Sequence, residues 1–426
     1  GFDKPDLGFV VHLGAPSSPV SYYQQVGRAG RAVEHADVLL LPGPEDLAIW
    51  QWFATSSMPR EDHAAAVLSA MADGQAWSVA RLETVADVRR SRLELLLKVL
   101  AVDGAVERVQ GGWRSTGRRW VYDADRYGRV TRTREAEQRA MIAYARPVDE
   151  ARCRMAFLQE ALDDPTAAPC GRCDVCAGPW YATDVPEGAA RAASAVLDRP
   201  GVELAPRAMW PTGADRLGVD VKGKIPPSEQ LATGRAVARL TDLGWGQRLR
   251  TLLGDDGVGG VVDLEAPGLE EAPDAAFEVP VRRAPTDVPP DDDLLKACAR
   301  VLAAWDWGQR PGAVVAVPSR RRPVLVEGVA QGLARMGRLP YLGTLDLAHG
   351  GPTGGPGGNS AFRLAAVWER IVVGERLRAA LGDLGDAPVL LVDDLADSRW
   401  TVTVAGRELR RAGVAAVLPF VLALAS

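Results

Sequence analysis

Four of the five cysteines in this chain fall between residues 153 and 176, and that clustering constrains the fold more than any other feature. The stretch reads C-R-M-A-F-L-Q-E-A-L-D-D-P-T-A-A-P-C-G-R-C-D-V-C. Cys170, Cys173 and Cys176 stand on a turn-rich run, and Cys153 precedes them at the head of a helical segment bearing Met155, Phe157, Leu158 and Leu162. A soft divalent ion takes four thiolates at tetrahedral corners. Closely spaced turn cysteines supply three of them, and a helix docked above supplies the fourth. Thiolate then fills every position and none stays open for water or substrate, so the expected ion, zinc by preference, is structural. A disulfide pair in a secreted protein is the competing reading. It fits poorly with a remainder that holds only Cys298 and with the lack of a secretory signal.

A chain of 426 residues exceeds one ordinary domain and predicts roughly three or four. No apolar run approaches the roughly 20 residues of a membrane span and no secretory signal is read, so no membrane partner is expected and the protein reads as cytoplasmic. The chain starts at Gly1 rather than Met, inside what reads as a folded unit, and is expected to be a piece of something longer. The net charge of −5 weighs against non-specific nucleic-acid binding by the whole surface, but its distribution is uneven.

Residues 1–58 open with G-F-D-K-P-D and an apolar run, Leu7 to Leu13. P-S-S-P-V-S-Y-Y-Q-Q-V-G-R-A-G-R follows, and then a second apolar run, Ala36 to Leu41. Two short apolar strands around a helical linker predict a parallel α/β arrangement. The linker carries Gln24, Gly27, Arg28, Gly30 and Arg31 in the pattern Q-x-x-G-R-x-G-R. On these residues the chain resembles the second RecA-like motor lobe of RecQ-type DNA helicases, with G-F-D-K-P-D matching that family's fifth motif and Gln24 to Arg31 its sixth. The resemblance implies that Arg28 and Arg31 stabilise charge on the γ-phosphate of ATP, with Gln24 beside them. No G-x-x-x-x-G-K-[ST] loop occurs in the sequence. The first motor lobe, with its ATP and Mg²⁺ cradle, is therefore expected elsewhere in the full protein, and no ATPase or helicase activity is expected from this chain alone.

Residues 59–127 predict a winged helix: helices at Ala64 to Met71, at S-V-A-R-L-E-T-V-A and at Arg92 to Ala101, then a hairpin around Gly111-Gly112. From Trp77 to Arg134 there are 13 basic and seven acidic residues. Arg89, Arg90 and Arg92 head the third helix, where a recognition helix meets a groove, and Trp113 and Arg114 lie near the wing tip. These five are the candidate DNA contacts; packing or protein contact is the alternative use. Residues 128–180 form the expected four-cysteine module, whose C-R helix, loop and C-G-x-C-D-x-C order resemble the zinc module of RecQ proteins. In that family the winged helix usually follows the zinc module, whereas this chain has it first. Arg152, Arg154 and Arg172 read as a solvated face.

Residues 181–254 read as an uncharacterised helical segment, with two short helices around Gly244 to Gly246. Residues 255–293 carry 12 acidic residues against Arg282 and Arg283 and read as a linker. Residues 294–426 alternate strands and helices, which predicts a parallel sheet covered on both faces. There V-L-L-V-D-D-L-A-D-S-R-W-T resembles the phosphoribosyl-diphosphate motif of type I phosphoribosyltransferases. The resemblance implies that Asp393 and Asp394 hold ribose hydroxyls and that Ser398 and Thr401, with Asp397, lie in a phosphate loop. It also implies a diphosphate loop near Arg320 to Arg322 and a flap at Gly350 to Gly358. Arg399 and Trp400 depart from the small residues that such a loop normally has, so a non-catalytic phosphate-sensing or protein-contact domain is the favoured use.

The fold class expected is thus multidomain α/β and α+β: the end of a RecA-like lobe, a winged helix, a helical zinc module and a phosphoribosyltransferase-like domain. The function expected is the C-terminal portion of an ATP-dependent 3′–5′ DNA helicase of the RecQ type acting in DNA repair. Two alternatives stand beside it: a phosphoribosyltransferase or phosphoribosyl-diphosphate sensor with a nucleic-acid-binding regulatory half, and an architectural DNA-binding adaptor.

Overall fold

The computed structural model describes residues 5–43, 46–56, 58–148, 150–182, 184–197, 199–254, 287–353 and 358–425. They divide into two units. The first takes residues 5–60 and 120–186, the second 61–119, 187–254 and 287–425.

In the first unit, strands β1 (Phe9–Leu13) and β2 (Asp37–Leu41) pair in parallel, Phe9 opposite Asp37 and Leu13 opposite Leu41. Parallel neighbours need a crossover, and the helix Pro19–Val26 provides it. Pro19 stands at its first position, and Ser18 Oγ accepts from the Ser21 amide at 3.2 Å. A 21-residue helix, Ala124–Tyr144, is capped by Asp123 and followed by the helix Arg154–Glu160. Tyr22, Trp50, Met141, Tyr144 and Leu158 form a shared core. One face of β1 lies outside that core: Phe9, Val11 and Leu13 are exposed. Of the G-F-D-K-P-D motif, residues 1–4 lie outside the described residues.

The second unit begins with the helices Glu61–Ala70, Val79–Leu82 and Arg90–Val102, then a hairpin of β3 (Val106–Val109) and β4 (Gly112–Ser115). Leu93, Leu96, Leu97 and Leu100 recur at helical spacing and are buried. Next come β5 (Val202–Leu204), β6 (Gly234–Arg239) and the helix Trp245–Leu253. The helix Asp292–Ala303, β7 (Ala313–Ala316), the helix Pro323–Gly337 and β8 (Tyr341–Thr344) follow. A small pair, β9 (Asp346–Leu347) and β10 (Ile371–Val372), precedes β11 (Val389–Ala396), the helix Trp400–Arg411 and β12 (Val417–Leu424). The six-stranded sheet runs β5-β6-β12-β11-β7-β8, parallel except for β5 against β6.

Two local expectations are corrected. Residues 234–239 form a strand rather than the start of a helix. Ala236, Val237 and Ala238 are buried and pair with β12, almost 200 positions away. Gly234 suits the spot, because a Cβ there would come within 2.3 Å of the Pro419 carbonyl oxygen. The last acids of the expected linker cap helices instead. Asp291 Oδ1 accepts from the Leu294 amide at 2.7 Å, and the Asp287 carboxylate accepts from the Val324 and Leu325 amides at 2.9 and 3.0 Å. Residues 255–286 of that linker, and 354–357 of the expected flap, lie outside the described residues. No helix among the described residues is long and apolar enough to cross a membrane.

Candidate metal centre and polar clusters

The turn and helix deliver the four cysteines to one point: the sulfurs of Cys153, Cys170, Cys173 and Cys176 lie within 4.8 Å of one another. A tetrahedral zinc–thiolate site with bonds of about 2.3 Å has sulfur–sulfur edges of about 3.8 Å, and Cys153 and Cys173 already stand 4.0 Å apart. The donor set therefore fits zinc. Cys153 is buried and accepts the Cys170 amide at 3.2 Å. Burial pushes its thiol up, but the amides of Ala156 and Cys170 and the thiols of Cys170 and Cys176 outweigh that and bring it down to about 6. Cys176, although lowered by the Gly171 amide, is pushed up to about 11 through the thiols of Cys173 and Cys153. Four thiolates this close repel each other, so complete deprotonation of the set requires a cation among them.

Arg154 is not the solvated residue expected from the sequence. Its guanidinium grips Asp174 bidentately, Nε to Oδ1 at 3.0 Å and Nη2 to Oδ2 at 2.9 Å. It also donates to the carbonyls of Tyr144 and Arg146 at the end of the long helix. Each partner directly follows a cysteine, Cys153 and Cys173, so the pair ties the two halves of the centre to the helix that ends at Tyr144. Only the adjacency C-R and C-D hinted at this. The carbonyl partners had no signal in the sequence.

Gln24, Arg28 and Arg31 lie at the end of the crossover helix and in the turn after it, all exposed. Gly30, at φ +76°, turns the chain back so that its amide donates to the Leu7 carbonyl and the Ala32 amide to that of Pro5. Arg31 Nε donates to the Gly27 carbonyl at 3.4 Å.

The candidate DNA contacts of the helix–hairpin segment are dispersed. Arg89 stands at the N-terminal boundary of the third helix without a side-chain capping bond, and its guanidinium lies 3.6 Å from Asp397. Arg90 pairs with Glu94 at 3.1 Å and with Glu83 at 4.0 Å. Arg92 is half-buried on the same helix. Arg114 pairs with Glu107 at 2.5 Å across the hairpin. Trp113 exchanges both backbone hydrogen bonds with Trp77, which makes a third bridging element rather than a free wing tip. The segment is held to the sheet domain by buried Asn359. Asn359 Nδ2 donates to the carbonyls of Glu83 and Ala86 at 2.6 and 3.1 Å, and its amide donates to Asp87 at 2.8 Å.

At the end of β11 the acid pair is buried. Asp394 accepts from Arg322 Nη1 at 2.8 Å and from Ser319 Oγ at 3.4 Å. Burial first, and the neighbouring Asp394 second, hold the Asp393 carboxyl well above the usual carboxylate range. Ser398 gives its carbonyl to Arg207, and Thr401 is half-buried in the first turn of the next helix. Arg399 takes φ +64°, the left-handed conformation that suits glycine. Trp400 is buried and stacks on Trp210 at 5.9 Å.

No family model matches the chain. Short segments of it are similar to known helicases. One is 37% identical over 62 residues to the ATP-dependent helicase wrn-1 of Caenorhabditis elegans, covering 15% of this chain and 6% of that protein. Another is 45% identical over 58 residues to the ATP-dependent DNA helicase Q1 of Mus musculus, covering 14% and 8%. A third is 36% identical over 61 residues to the ATP-dependent DNA helicase RecQ of Bacillus subtilis, covering 14% and 10%. The chain thus spans a tenth or less of the length of these relatives. Over matches of this short length, and in a chain that also brings four cysteine sulfurs together, the protein is similar to RecQ-family helicases.

Proposed function

We propose that this chain serves an ATP-dependent DNA helicase of the RecQ type. In this reading it supplies the arginine motif of the second motor lobe, a structural zinc module and the DNA-contacting helix–hairpin. The observation that carries the reading is the shared core: Tyr22, on the helix that bears Gln24, packs with Tyr144 and Leu158 beside the four cysteines. The β1–β2 pair adds support. Parallel strands are normally covered on both faces, and the exposed Phe9, Val11 and Leu13 are what a strand at the margin of a larger sheet presents. Arg28 and Arg31 then act on ATP and Mg²⁺ held by a nucleotide-binding lobe outside this chain, while the helix–hairpin contacts DNA through Arg89, Arg90, Arg92, Trp113 and Arg114.

The test uses a protein that carries both lobes. Arg31→Ala is expected to lower DNA-stimulated ATP turnover by about a thousandfold, with zinc content and DNA affinity unchanged. Undiminished turnover would refute the role. Reversing Arg89, Arg90 and Arg92 together is expected to weaken DNA binding, and unchanged affinity sinks the helix–hairpin assignment.

A phosphoribosyl-diphosphate site at Asp393, Asp394, Ser398 and Thr401 is the second reading. It rests on the place of the acids at the end of a parallel strand. The hold of Arg322 on Asp394 and the burial of Asp393 favour a non-catalytic domain over a transferase. Calorimetric titration with phosphoribosyl diphosphate and Mg²⁺ tests the site: no binding, or binding unchanged in Asp393→Asn, counts against the transferase.

A further inference from the structure

Four guanidiniums from four separate segments gather at the loop after β11. Arg363 Nη2 meets Asp397 Oδ2 at 2.8 Å, and Arg89 Nη2 meets Asp397 Oδ1 at 3.6 Å. Arg207 donates to the Ser398 carbonyl through Nε at 3.1 Å and Nη2 at 2.6 Å. Arg399 reaches back to the Ala205 carbonyl at 2.9 Å. Among these contacts, Asp397 is the one carboxylate that answers the group, and it is shared by two of the arginines.

Four guanidiniums set this close keep their positive charge, because guanidinium does not deprotonate in proteins. The crowding is visible in Arg207, whose guanidinium is disfavoured by burial first and by the charge of Arg399 second, with Asp397 in partial compensation. Arg399 also holds a left-handed backbone at φ +64°, where an L side chain is strained and glycine is not. For Arg399 the structure sets one hydrogen bond to the Ala205 carbonyl against this strain and the neighbouring positive charge. An anion bound by the group would offset both.

We propose that Arg89, Arg207, Arg363 and Arg399 form a binding surface for the phosphodiester backbone of nucleic acid, with Asp397 as an internal counter-ion that a phosphate displaces. The neighbouring ring Trp400 is buried, so the surface offers charge without a base-stacking platform, and binding through it is independent of sequence. This differs from a phosphate loop built on backbone amides, since the Ser398 carbonyl faces Arg207 and the ligand is held by side chains. It extends the proposed DNA contact from the helix–hairpin to the sheet domain, and rests on the chain binding DNA at all.

The test is fluorescence anisotropy of a labelled thymidine oligonucleotide with the full chain across a salt series. Arg399→Gly relieves the backbone strain while it removes the guanidinium. Its thermal stability is expected to hold or rise, its affinity to fall by about threefold to tenfold, and its salt slope to shrink by about 0.7, the value of one single-strand phosphate contact. Asp397→Asn is expected to bind more tightly than wild type by a few-fold. Wild-type affinity and slope in both variants would overturn the proposal while leaving the helix–hairpin contact standing. An absence of oligonucleotide binding by the wild-type chain would overturn both.

Discussion

Replacing Arg154 by Met keeps the length of the side chain and deletes the clamp between the cysteine centre and the long helix. The guanidinium satisfies Asp174 with two bonds and the carbonyls of Tyr144 and Arg146 at a helix end where carbonyls lack intrahelical partners. Breaking a fully buried pair costs roughly 3–5 kcal/mol. Arg154 is 16% exposed but Asp174 is 30% exposed, so water replaces part of what Asp174 loses, and we discount the cost to about 2–3 kcal/mol. For a unit of this size that corresponds to a fall of roughly 5–10 °C in melting temperature. The assay is thermal unfolding of the zinc-loaded chain by circular dichroism, paired with the rate of zinc release to a chromophoric chelator, which should rise. A double-mutant cycle with Asp174→Asn gives the decisive number. The two losses should overlap by about 1–2 kcal/mol, as contacting residues do. Strict additivity, or zinc release at the wild-type rate, would refute the clamp.

Three further outcomes are expected. Asn359→Ala removes two donors to the Glu83 and Ala86 carbonyls and the cap on the amides of Ala361 and Phe362. It should cost about 2–3 kcal/mol and speed hydrogen exchange across residues 61–119. Asp393→Asn retains an acceptor for the Asp394 amide while it removes a carboxyl whose folded-state value is raised. A raised group contributes stability below its unfolded value that is lost as pH rises through its folded value, so the variant should gain melting temperature over wild type, and the gain should grow with pH. Chelation of the metal should unfold the helix Arg154–Glu160 and the turn of the later cysteines, read as lost helical signal that zinc restores; an unchanged spectrum after verified zinc removal would count against a structural role.

The parts of this fold legible in the sequence are those whose partners lie nearby. The spacing of Cys170, Cys173 and Cys176, the two apolar runs around the glycine–arginine turn, and the leucines of the helix Arg90–Val102 each follow from a local pattern. What could not be read depends on contacts distant in sequence. The run Gly234–Arg239 is too short for its apolar residues to separate strand from helix, and only pairing with Phe420 to Leu424 decides it. Asp287 and Asp291 share the composition of a charged linker, yet both accept from amides at helix starts and act as caps. The surroundings of the candidate arginines were only partly legible. A local count of charge registers Arg89 and Arg114 as available, while the structure sets Asp397 and Glu107 against them.

The metal centre and the arginine motif are coupled by packing rather than by charge. Tyr22 stands 5.2 Å from Tyr144, and Tyr144 stands 5.6 Å from Phe157, ring centre to ring centre. Tyr22 lies two residues from Gln24, and Phe157 lies four from Cys153. Among the described residues the core they share is small, with five buried side chains beside several partly buried ones. A core of that size stabilises a unit weakly on its own. A four-thiolate zinc site contributes roughly 10–16 kcal/mol of binding free energy at neutral pH, comparable to the whole stability of an ordinary domain. In the proposed reading, zinc bound by the four cysteines would order the aromatic stack, and the stack would hold the helix that leads into Arg28 and Arg31. Loss of metal should thus be felt at the arginine turn although no cysteine touches it.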